Sequence, residues 1–448
     1  MIIVFAHGLV QRSQLPIPEW LFAWAAAAVL CVSFVALAAL WPKPRLENAG
    51  WRPLPGGIGR VLGSRAVEVA GGVTGVAILA LVLATGYAGP PTPLDNFGPT
   101  FIFIVFWVGL VFASLLFGDV FRLFNPWRAI GRVVLRDRAR RPYPERLGRW
   151  PAAVGLLAFT WIELASGWGE HPQTLATAVA GYSVLTLAAM AVYGVEPWAR
   201  WGESFSVYFN LFSRLSAFET RDRVVGVRPL LSGLPRLNPI DGTVGLVVVM
   251  IGSVTFDGLS QGQVWKDIAV QLNDGLSSLG VGLETAPKIA STIGLLLGVA
   301  LVGGFYTLGI EGARSVGGDL DAEQLRRRFI HSLVPIAMVY VVAHYLTFLL
   351  FEGQSIFYLA SDPFGQGWDL FGTANSAIDY SLLSQNAAWY LQVGFVVLGH
   401  VAALILAHDR ALVLYRDPKL AVRSQYWMLA IMVGFTSLAL WLLSQAGR

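Results

Sequence analysis

The chain has 448 residues, is 55% hydrophobic and only 13% charged, and has a mean hydropathy of +0.60. A soluble domain carries about 25% charged residues, so this composition excludes a life in water alone and requires lipid. The single cysteine, Cys31, excludes an intrachain disulfide framework and paired-thiolate sites. The net charge of +4 resides in arginines beside apolar runs, which argues for membrane orientation and against nucleic-acid binding.

The expected fold is all-α, a single polytopic membrane domain over 1–448. A helix needs about 20 mostly apolar residues to cross the hydrocarbon core. On that criterion ten spans are expected, near 18–40, 67–88, 100–117, 151–168, 174–194, 242–258, 289–311, 329–351, 387–408 and 425–445. The first 17 residues lack a basic stretch and a small-residue cleavage site, so the run after Pro18 is expected to be a retained span.

The loops after spans 1, 3, 5, 7 and 9 hold 5, 9, 6, 4 and 4 of the 32 basic residues. The other side keeps Arg12, Lys266, Lys288 and Arg448. The positive-inside rule then places the odd-numbered connections in the cytoplasm and both termini outside. Richness in Ala, Gly, Leu and Val with few lysines points to a GC-rich bacterial genome, and so to the cell (inner) membrane.

Two connections resemble each other. Residues 119–136 and 203–218 mix aromatic and basic residues, a texture suited to interfacial helices whose arginines reach anionic lipid. Gly118-Asp119-x-Phe121 with Phe124-Asn125 is echoed by Gly202-Glu203-x-Phe205 with Phe209-Asn210, the offset slipping by one residue. As a true repeat, this would be a parallel pair of two-span units. Residues 352–386 form the longest outer loop and, being rich in aromatics and glycine, are expected to be structured. Gly71 with Gly75, and Gly294 with Gly298, have the small-xxx-small spacing of close helix packing.

Ionisable residues inside spans are costly and mark functional candidates. Span topology places Glu163, Asp257 and His344 in the outer third, a candidate coupling or ion site that Ser253, Thr255, Tyr340 and Tyr345 could line. His331, His344, His400 and His408 on spans 8 and 9 form a second grouping, a candidate metal or haem set. At about 1.5 Å rise per residue His344 and His400 differ in depth by about 10 Å, whereas His331 and His408 share a level at the membrane edge. Glu311 with Arg314 reads as a local ion pair.

Walker A, HExxH, GxSxG and GxGxxG signatures are absent, and no cofactor is required by the sequence. The expected function is therefore a carrier or permease for a small solute or ion. Its competitors are a redox or metal-handling subunit using the four histidines, and a non-catalytic scaffold subunit of a membrane complex.

Overall fold

The structure, a computed structural model, describes residues 19–135, 139–317, 320–415 and 417–445. It is predominantly helical. The helices used below are α1 (Glu19–Leu40), α2 (Arg65–Ala88), α3 (Phe97–Phe117), α4 (Val120–Phe124), α5 (Pro126–Val134), α6 (Trp150–Leu164), α7 (Pro172–Tyr193), α8 (Val195–Trp201) and α9 (Ser204–Ser213). They continue with α10 (Thr243–Ser260), α11 (Gln263–Ser278), α12 (Ala286–Arg314), α13 (Ala322–Leu350), α14 (Gln385–Leu414) and α15 (Tyr426–Gln445).

Among the described residues, seven helices are long and apolar enough to cross a membrane: α2, α3, α7, α10, α12, α13 and α14. They mark the chain as a helical membrane protein. The other three apolar segments are also helical. Of these, α6 has 15 residues, a rise of about 22 Å against a hydrocarbon core of about 30 Å. It stops at Leu164, short of the expected 168, because the Ser166 hydroxyl donates to the Ile162 carbonyl and accepts from the Trp168 amide, while Gly167 turns with φ 73°.

The chain forms two compact units. The first comprises 51–228 and 347–382, and so contains α2 to α9. Ser64 caps α2 by accepting from the Val67 amide. Asn96 closes the α2–α3 hairpin, accepting from Gly98 while donating to the Thr85 and Pro90 carbonyls, both at 2.8 Å. Within α3, Phe101–Gly109 is π-helical, a rare form beyond single turns. The chain leaves α3 through Gly118, whose φ of 86° suits glycine. It then runs through α4 and α5, the latter opened by an Asn125 cap and Pro126 at its first position.

Three short strands, β1 (Arg52–Pro53), β2 (Phe218–Arg221) and β3 (Val224–Val227), form an antiparallel sheet in the order β1-β3-β2. Asp222 and Arg223, both at positive φ, make the tight β2–β3 turn. The 352–382 stretch is internally bonded: Asp369 accepts from Ser361 and the Ala374 amide, and Gln354 is bonded to Asp379 in both directions. Leu359 from this stretch joins a core of Val82, Phe97, Ile102, Phe103 and Leu175.

The second unit comprises the described residues of 9–50 together with 229–346 and 383–445. Helices α10 and α12 cross at glycines. A Cβ on Gly252 would lie 2.5 Å from Val299 Cα, and one on Gly298 would lie 2.9 Å from the Gly252 carbonyl oxygen. Gly294 faces the Phe256 and Trp265 rings. The small-residue spacing thus serves packing within this unit. The expected Glu311–Arg314 pair forms at 3.1 Å.

Candidate functional site

In the second unit, α10 carries Asp257 into the interior, where it is fully buried. Helix α13 brings two adjacent side chains to it. The His344 Nε2 lies 2.8 Å from Asp257 Oδ2, and the Tyr345 hydroxyl donates to the same oxygen at 2.5 Å. The imidazole and phenol rings meet edge to face, 4.6 Å between centroids. A carboxyl group buried in an apolar bundle is tolerable only with such donors. Beside His344 lies a cavity of about 30 Å³, lined also by Val254, Tyr340 and Val396, enough for about one or two waters. The arrangement can hold a proton between imidazole and carboxylate, with room for water beside the ring.

Asp257 and His344 therefore come together within one unit, with Tyr345 from the expected lining. Tyr340 lines the cavity and donates to the Phe435 carbonyl, whereas the Thr255 hydroxyl bonds back to Ile251. Glu163 belongs to the first unit, where it acts electrostatically on Tyr208.

The other histidines each have a local partner. His331 Nδ1 donates to the Arg328 carbonyl at 2.9 Å, and His400 Nδ1 donates to the Val396 carbonyl at 2.7 Å. Those bonds fix the tautomer and leave each Nε2 as a buried lone pair with no hydrogen-bond partner among the described residues. His408 bridges the Trp41 carbonyl, at 3.0 Å from Nε2, and the Gln425 amide, at 3.2 Å from Nδ1. No group of three or more His, Cys, Asp or Glu residues that could hold a metal ion occurs among the described residues.

The first unit holds a polar site that sequence reasoning did not single out. Asp119 caps α4 by accepting from the Arg122 amide, and Glu203 caps α9 by accepting from the Phe205 and Ser206 amides at 2.9 and 2.8 Å. Each acid also accepts from the asparagine of the opposite motif: Asn210 donates to Asp119 at 2.8 Å, and Asn125 to Glu203 at 3.3 Å. The two sequence echoes are joined crosswise. Glu203 is fully buried and also accepts from the Tyr182 hydroxyl at 2.5 Å and from Ser206 Oγ. Burial pushes its carboxyl above the ordinary range, against these donors. The Gly-acid-x-Phe echo was the available signal; that its acids and amides exchange partners could not be read from either copy alone.

Of the arginines expected at the interface, Arg128 is buried and forms a two-pronged pair with Glu196 on α8, with Glu68 on α2 at 3.3 Å. No family model, curated protein or solved structure matches this chain.

Proposed function

We propose that the protein is a carrier of a small solute or ion across a bacterial cell membrane, with proton movement through Asp257 and His344 as its coupling step. One observation carries the reading: an acid, an imidazole and a phenol meet inside a membrane helix bundle, beside a cavity with room for water. Intramembrane ionisable groups are costly to keep, and proton relays are among their commonest uses. In this reading α1, α6 and α15 complete a ten-span topology with the basic loops in the cytoplasm and both termini outside. The exposed Arg122, Arg140, Arg141 and Arg146 then face anionic headgroups.

The test uses proteoliposomes enclosing the pH dye pyranine, given a pH step and a panel of inorganic cations, sugars and amino acids. At least one solute elicits proton flux in the wild type. Asp257→Asn and His344→Gln reduce that flux about a hundredfold, the scale of a lost proton-transfer group. Glu163→Gln, tested alongside, reports whether the first unit shares in coupling. Flux that survives both Asp257→Asn and His344→Gln defeats the proposal.

A second reading, a redox or metal-handling subunit, is favoured by the buried lone pairs on His331 and His400. A Soret band or bound metal in the purified protein, lost in His400→Leu, would establish it over the carrier.

A further inference from the structure

The first unit contains a groove of about 850 Å³ between α2, α3, α6 and α7, floored by the elbows around α4 and α8–α9. That volume lies within the range of sites for drug-sized molecules, about 300–1,000 Å³. None of its lining residues is an Asp, Glu, Lys, Arg or His. A charged ligand would lose its hydration there with no countercharge in exchange, so the occupant is uncharged.

The walls are rich in rings, among them Phe101, Phe106, Trp127, Phe159, Trp198 and Phe205. Several are already arranged edge to face: Phe106 with Phe205 at 4.8 Å and Phe159 with Phe205 at 5.2 Å between centroids. Rings held this way offer both edges and faces to another ring, a geometry a saturated chain does not exploit. The only hydroxyls come from Thr74, Tyr182, Thr186 and Ser204, and that of Tyr182 is anchored to the buried Glu203. The site therefore satisfies few polar atoms.

The π-helical stretch of α3 supplies part of this wall. Phe101 and Phe106 both belong to it and both line the groove. π-Helix is rare and is frequently found at functional sites. Lining residues come from both echoed halves, α2–α5 and α6–α9, and ligand sites between structural repeats are the rule in transport proteins.

We infer that this groove is a binding site for an uncharged, aromatic lipophile carrying few hydrogen-bonding atoms, which enters from the bilayer. The inference goes beyond the carrier reading, since binding is measured without transport and involves neither Asp257 nor His344.

The test is photolabelling of the purified full-length protein in nanodiscs with 5-iodonaphthyl-1-azide, an uncharged aromatic probe, with labelled residues located by mass spectrometry. Labelling at Phe106, Phe159 and Tyr182 saturates and is competed by N-phenyl-1-naphthylamine. Ala158→Trp and Ala178→Trp, which fill the groove, reduce it about tenfold, equivalent to about 1.4 kcal/mol. Val184→Trp, an exposed position outside the groove, leaves it unchanged. If labelling instead rises linearly with probe, equals that of outward-facing residues and ignores the competitor, only bilayer chains fill the groove and the inference is overturned. Saturation and competition are read on the wild type, so the outcome stands even where a filled variant does not fold.

Discussion

Glu196 is held by two arginines at once. Arg128 reaches it through Nε and a terminal nitrogen, both at 2.9 Å, and Arg132 reaches it at 2.8 Å, while Glu68 pairs with both arginines and with Arg223. Burial alone would raise the Glu196 carboxyl, but hydrogen bonds and charge from Arg128 and Arg132 outweigh it and hold the group below its ordinary 4.5. A carboxyl depressed on folding adds stability that is present above the ordinary value and lost as pH falls through the folded one. The unfolding midpoint of the detergent-solubilised wild type is therefore expected to fall as pH drops from neutral to below 4.5. Glu196→Gln should start lower at neutral pH and change less over the same range. The arginines of this network were countable in the sequence, but their partners were not, because Glu68 lies 60 residues and Glu196 68 residues from Arg128.

At the scale of elements, Gly75 decides how closely α2 approaches the elbow after α3. A Cβ there would lie 1.9 Å from the Phe124 carbonyl oxygen, with backbone and no flexible side chain in the way. Gly75→Ala must therefore push the elbow outward, at a cost of about 1–3 kcal/mol. Gly181→Ala makes a matched control within α7, since nothing lies within 4 Å of the added carbon; helix propensity favours that change by up to about 1 kcal/mol. Thermal unfolding of the two variants should shift in opposite directions. Equal shifts would mean that the elbow does not rest on α2. The spacing of Gly71 and Gly75 was legible in the sequence as a close-packing signal. Its partner was not, because the motif suggests another span, whereas the contact is with a five-residue helix.

For the whole molecule, helical spans were legible because hydropathy is a local property that each segment carries by itself. The Asp257–His344 pairing was approachable through depth, since counting residues along spans places both at one level. The groove was invisible, because its lining has the same apolar composition as a packed core, and only the arrangement of helices distinguishes a wall from an interior. The orientation proposed above has a direct check. A cysteine tag added to either terminus of a Cys31→Ala protein in whole cells should react with a membrane-impermeant maleimide, whereas a cysteine at Arg141 should react only after the membrane is opened. Reaction at Arg141 in intact cells would invert the topology.

The crossed acid–amide bonds also bear on how the first unit is made. Asp119 and Asn125 are synthesised early, yet their partners Asn210 and Glu203 emerge from the ribosome 91 and 78 residues later. The leading half, made first, therefore has an incomplete clasp until the trailing half supplies both missing partners. Because each half holds one acid and one amide of the exchange, neither can close it alone.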